Sequence, residues 1–216
     1  MISAQPARTL ASFIVVGLLA VSAASSPAAA QTDQAFRVSG EFTTLHLSEF
    51  DVTTSGLGAR AAWRLLPALA IDGAFSWFPR NWQTGGNAAN VILSNQSKIM
   101  ALGGVTSGVA VGNVELFGRA RAGVLDFMRE DAPFACLTIF PATLDCQLAS
   151  GYAAFAFDFG GGATVGLDQD GRLRLRLEAG DLMVRYGLDA IRPGGVITTG
   201  FYGHNLLLSA SVGWRF

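Results

Sequence analysis

Residues 203–216, GHNLLLSASVGWRF, constrain the fold more than any other stretch of this chain. Counting back from Phe216 in steps of two gives Trp214, Val212, Ala210, Leu208 and Leu206. The other parity gives Arg215, Gly213, Ser211, Ser209, Leu207 and Asn205. One row is apolar; the other is mostly small, polar or charged. A period of two is that of a β-strand with one oily and one polar face. About ten such residues, tilted, cross a bilayer. A soluble antiparallel edge strand carries a similar pattern, so the remainder of the chain has to decide.

The N-terminus points to export. Arg8 gives a weakly basic start, residues 10–21 are an apolar run, and VSAASSPAAA follows with Ala28-Ala29-Ala30 as an A-x-A cleavage pattern. The run is shorter than the roughly twenty apolar residues a membrane helix needs. Residues 1–30 therefore read as a cleaved signal peptide, and 31–216 as one domain. Charge is near balance, at −1, which leaves no electrostatic footprint for nucleic acid. Charged residues make up only 14% of the chain, low for a water-soluble surface. An exported chain without a helical span is either a soluble domain or a barrel in the outer membrane. In lipid, unpaired backbone groups cost several kcal/mol, so spanning strands must close into a ring.

Eight strands are expected, at about 35–44, 57–65, 69–78, 98–111, 115–127, 152–167, 173–186 and 203–216. Most have an apolar row and a polar row: Phe36, Val38 and Phe42 against Arg37 and Glu41 in the first, Phe155, Phe157 and Phe159 against Asp158 in the sixth; the fourth is Gly-rich and its alternation is blurred. In the seventh, LRLRLEAGDLMVRY, the apolar row starts as Leu173, Leu175 and Leu177 and continues as Leu182, Val184 and Tyr186. That parity slip near Gly180-Asp181 predicts a β-bulge. The links read long, short, long, short, long, short, long. This places all short turns with both termini on the periplasmic side, as in outer-membrane barrels.

The fragments LFGRARAGVLDF (116–127), FDFGGGATVGL (157–167), LRLEAGDLMVRYG (175–187) and LLLSASVGWRF (206–216) resemble the small eight-stranded outer-membrane β-barrels of the OmpA/OmpX type. The resemblance, with the strand pattern and the leader, covers most of residues 31–216. It implies an all-β fold, an eight-stranded antiparallel up-and-down transmembrane barrel in a Gram-negative outer membrane. It implies lipid and lipopolysaccharide as surroundings, a monomer, and recognition of the terminal Trp214 and Phe216 by the barrel-assembly machinery. None of the fragments is a catalytic motif, and no cofactor or metal is implied.

The polar rows carry the candidate site: Arg37, Glu41, Arg60, Arg64, Asp72, Arg119, Arg121, Asp158, Arg174, Arg176 and Glu178. An eight-stranded ring leaves an interior just wide enough for side chains, and buried charges there must pair. Strands five to seven are neighbours, which predicts a lumenal network of Arg119, Arg121, Asp158, Arg174, Arg176 and Glu178. Trp63, Trp77, Trp214, Phe216 and Tyr186 are expected in interface girdles. Cys136 and Cys146, the only cysteines, share one exported link and are expected to form a disulfide.

The preferred function is a structural, surface-interaction barrel with its lumen plugged by Arg–Asp/Glu pairs; the loop partner is unspecified. The alternative is a narrow pore for ions or small solutes. A lipid A-modifying enzyme draws on His46, Ser48 and His204 near the outer rim, but these lack an obvious carboxylate orienter. A soluble periplasmic ligand-binding barrel demands the opposite facing, with Leu, Phe and Trp inside.

Overall fold

The computed structural model describes residues 36–80, 96–129, 148, 151–168, 170–191 and 197–216. The expected leader at 1–30 and both cysteines, Cys136 and Cys146, lie outside the described residues. The strands are β1 (Phe36–Leu47), β2 (Val52–Leu66), β3 (Leu69–Phe78), β4 (Lys98–Val111), β5 (Val114–Phe127), β6 (Tyr152–Gly166), β7 (Leu173–Ile191) and β8 (Ile197–Arg215). Each pairs antiparallel with its neighbour in sequence, and β1 pairs with β8, so the sheet closes into a barrel.

The register fixes the shape. His46 pairs with Leu206, then the ladder runs through Asp181, Phe159, Ala120, Val105, Ile71 and Trp63 back to Phe36 on β1. One circuit thus displaces β1 by ten residues, from His46 to Phe36. That stagger tilts the strands and sets the bore of an eight-stranded ring to side-chain width.

Facing follows the period of two. Phe42, Leu57, Trp63, Ile71, Phe75, Leu177, Leu208 and Trp214 are exposed, while Glu41, Arg60, Asp72, Arg119, Arg121, Asp158, Arg176 and Glu178 are buried. A water-soluble barrel needs the reverse, because burying charge while exposing apolar rows is favourable only where the surroundings are lipid. The soluble ligand-binding reading is therefore opposed by the facing itself. Trp63, Trp214 and Phe216 are exposed at the short-turn end, where the Phe216 amide donates to the Phe36 carbonyl at 2.9 Å. Trp77 is exposed near the other end of β3.

Three expectations need correction. First, the bulge expected at Gly180-Asp181 is absent: β7 keeps one register with β6 from Arg174 to Arg185 and one with β8 from Leu173 to Tyr186. The shift lies between Tyr186 and Asp189, opposite Gly200, whose φ of 62° is left-handed. Leu182, Val184 and Tyr186 occupy the same inward row as Arg176 and Glu178. What changes along β7 is the content of the lumen, not the parity. Second, Tyr186 is consequently fully buried and belongs to no outer girdle. Third, the links at 48–51 and 192–196 are short. Here β1, β2, β7 and β8 continue their ladders beyond the apolar belt, where outward residues such as Thr44, His46, Thr53 and Ser55 turn polar. Hydrophobic alternation fades there while backbone pairing does not.

Candidate functional site

The inward rows stack the lumen in three storeys. Nearest the short turns, Arg37 on β1, Arg64 on β2, Glu115 on β5 and Arg174 on β7 converge. Glu115 Oε1 accepts from Arg64 Nη2 at 3.2 Å, and Oε2 from Arg174 Nη1 at 3.1 Å and Arg37 Nη2 at 3.5 Å. Arg174 thus belongs to this mouth and not to the central group the sequence assigned it to. Glu115 was missed altogether, although it shares parity with Arg119 and Arg121.

The middle storey is an ionic network drawn from six strands. Glu178 of β7 is its hub: it takes both prongs of Arg60, one of them at 2.7 Å, together with Arg119 Nη1 at 2.8 Å, Arg176 Nε, and the Ser209 hydroxyl at 3.2 Å. Asp158 accepts from Arg119 Nε at 2.6 Å, Arg119 Nη2 at 3.0 Å and Arg121 Nε at 2.8 Å. Glu41 lies 2.7 Å from Arg60 and accepts the Thr43 hydroxyl at 2.8 Å. Asp72 sits 3.7 Å from Arg60 and 4.0 Å from Arg121. The carboxylates Glu41, Asp72, Asp158 and Glu178 match the guanidiniums Arg60, Arg119, Arg121 and Arg176 in number. Charges this deeply buried are tolerated only in such a matched and hydrogen-bonded arrangement. Room for the guanidiniums comes from small neighbours. A Cβ at Gly180 would sit 2.8 Å from both Arg119 Nη2 and Asp158 Oδ1.

The upper storey is apolar, which the sequence reading did not anticipate. Leu45 and Leu47 of β1, Phe78 of β3, Met100 and Leu102 of β4, Leu125 and Phe127 of β5, and Leu182, Val184 and Tyr186 of β7 fill it. The Tyr186 ring lies 5.0 Å from that of Phe201, 6.3 Å from Phe127 and 6.4 Å from Phe50. Lys98 is fully buried here; its Nζ donates to the Gln96 carbonyl at 2.9 Å and lies 5.8 Å from the Phe127 ring centre. Gln96 in turn donates to the Leu148 carbonyl at 3.1 Å, and Leu148 packs into the apolar cluster. The signal was present in Leu45, Leu47, Leu125, Phe127, Leu182 and Val184, all on the charged parity of their strands.

At the rim, His204 Nδ1 lies 2.7 Å from Asp181 Oδ2 and His46 Nδ1 lies 3.0 Å from Thr53 Oγ1. The carboxylate partner that the sequence reading lacked is therefore Asp181. The Ser48 hydroxyl, however, donates to the main-chain carbonyl of His204 and not to a ring nitrogen. A serine nucleophile needs a base on its proton, and this arrangement supplies none. Among the described residues no group of three or more His, Cys, Asp or Glu is placed to hold a metal.

No family model and no curated protein matches the chain. Solved structures do. Neisserial surface protein A superposes with a TM-score of 0.51 at 12% identity, covering 84% of this chain and 97% of that one. Outer membrane protein H of P. aeruginosa gives 0.48 at 13% identity, covering 84% and 99%. The N-terminal β-barrel domain of Pseudomonas aeruginosa OprF gives 0.45 at 9%, covering 83% and 97%. Eight strands closed in sequence order, with apolar side chains outward and charges enclosed, give this chain the fold of the small eight-stranded outer-membrane β-barrels.

Proposed function

We propose that the protein is a closed outer-membrane barrel with a structural and surface-interaction role, its lumen sealed twice over. The observation that carries this reading is the stacking of a matched ionic storey against an apolar one. An ion moving along the axis meets the Glu178 and Asp158 clusters and then a storey of fully buried Leu, Phe and Tyr side chains. Stripping an ion of water in that second storey is prohibitively costly. The narrow-pore alternative needs both storeys to open together. What is left for function is the outer rim and the segments it carries.

Location and closure are tested separately. The wild-type protein is expected to sediment with outer membranes and to migrate differently on gels before and after boiling. In planar bilayers it is expected to conduct no more than leak. Stable unitary currents that vanish on substitution within the Arg60–Glu178 pair would replace the plug with a pore. An epitope inserted within residues 81–95 is expected to be stained by antibody on intact cells; staining only after permeabilisation would reject surface display.

A further inference from the structure

The apolar belt does not run level round the barrel. The ladder displaces β1 by ten residues in one circuit of eight steps, so each step from β1 to β8, β7 and onward descends one and a quarter residues of strand. Asp181 is two such steps below His46, or two and a half residues. Thr44 is two residues below His46 on β1 itself. Both face outward. Across the barrel, Phe159 is three steps down and Phe155 four residues back up β6, which returns it to the level of His46. Val105 is five steps down and Ile99 six residues back up β4, again at that level.

The two walls therefore differ at equal height. On β4, β5 and β6 the uppermost outward residues of the belt are Ile99, Ala101, Val124, Phe155 and Phe157, all apolar. On β7, β1 and β2 the polar residues Asp181, Thr44 and Ser55 already stand there, with Leu206 of β8 among them. Polar facing thus starts about 6 Å deeper on β7 and β1, at about 3.3 Å per residue and a tilt of about 40°. Hydroxyls and a carboxylate turned toward hydrocarbon are costly. Their mutual bonds offset only part of that cost: Thr44 Oγ1 lies 3.2 Å from Ser55 Oγ, and His204 Nδ1 2.7 Å from Asp181 Oδ2. A carboxylate has room for about four hydrogen bonds, and the Asp181 side chain keeps 47% of its surface open. Arg185, four residues above Asp181 on the same outward row, is exposed, with its guanidinium carbon 5.9 Å from the Tyr202 ring centre. A cation, a carboxylate–imidazole pair and hydroxyls on one wall match the phosphate and ammonium groups of lipid headgroups.

We propose, on the reading of this chain as an outer-membrane barrel, that the wall of β7, β8, β1 and β2 is a docking face for the headgroups of the outer lipid leaflet. Headgroups reach down to Asp181 and Thr44 on that wall, while acyl chains reach up to Ile99 and Phe155 on the opposite one. The barrel thus has a low side and a high side in the bilayer, and the low side contains the seam where β1 meets β8.

The test uses the full wild-type protein, deuterated except at its amides, in nanodiscs of dimyristoylphosphatidylcholine. Nuclear Overhauser cross-peaks then report which lipid protons lie beside each outward residue. Choline methyl cross-peaks are expected at Thr44 and Asp181, and acyl methylene cross-peaks at Ile99 and Phe155. In Thr44→Val/Asp181→Leu the choline cross-peaks at both positions are expected to be lost and replaced by acyl ones. Heat-modifiable migration verifies that the variant is folded, and Thr44→Val alone replaces it if the double variant does not fold. Acyl cross-peaks at all four positions of wild type, choline cross-peaks at all four, or choline cross-peaks retained in the folded variant overturn the proposal. So do cross-peaks at Thr44 and Asp181 to a protonated second copy of the chain, which would make this wall a protein interface. Absence of acyl cross-peaks even at the exposed Leu177 and Val212, deeper in the belt, would overturn the membrane reading and this proposal with it, so the two failures are distinguishable.

Discussion

The two inner storeys of the barrel are built by the same inward rows of the same strands and are held together by opposite physics. Below, cohesion comes from directional pairs: Glu178 and Asp158 each satisfy more than one guanidinium, so each is a point of failure. Above, cohesion comes from apolar contact spread over many side chains, so each loss is local. The lower arrangement specifies register, since a two-residue slip of β7 would move Glu178 away from Arg60 and Arg119. The upper one tolerates reshaping and excludes water.

The sharpest way to break this contrast is Glu178→Gln. Removing one charge leaves Arg60, Arg119 and Arg176 short of a partner, and a loss of about 3–5 kcal/mol is expected in urea unfolding of the folded protein in micelles. A loss under about 1 kcal/mol would mean the guanidiniums find water and the network is not dry. Next comes Leu182→Ala in the upper storey, expected to cost about 2–4 kcal/mol as a cavity. Its outward neighbour on the same strand, Leu177→Ala, is 54% exposed and is expected to cost well below that, about 1 kcal/mol, because lipid refills the space. Equal costs would erase the distinction between inside and outside. Gly180→Ala, which presses on Arg119 and Asp158 together, is expected to cost about 1–2 kcal/mol through overpacking. The smallest effect belongs to Asp181→Asn at the rim. Its pair with His204 is exposed, and a change within about 0.5 kcal/mol is expected by the same unfolding measurement.

Much of the ring was legible in the sequence because lipid enforces alternation. β3 and β4 were read at their observed limits, and Glu41, Arg60, Asp72, Arg119, Arg121, Asp158, Arg176 and Glu178 are buried. The failures share one cause. A period of two reports that two faces differ, not which one is inside, so when β7 exchanged Arg176 and Glu178 for Leu182 and Val184 the change of lining looked like a change of facing. Glu115 escaped because it stands at the first turn of β5, before the Arg119–Arg121 pattern sets in. The outer ends of β1 and β2 escaped because outward residues such as His46, Thr53 and Ser55 are polar above the belt, which removes the alternation without removing the hydrogen bonds.

The ladder between β7 and β8 runs on to Ile191 and Ile197, while the flanking ladders stop at Arg185 with β6 and at Leu206 with β1. Among the described residues, a two-stranded ribbon therefore continues past the flanking ladders. Two-stranded ribbons are marginal by themselves in water, so this one draws its order from the wall it grows out of. Its amides beyond Gly187 are expected to exchange with solvent before those of the ring below, and the Gly187 amide, which donates to the Tyr152 hydroxyl at 2.9 Å, marks where that boundary falls.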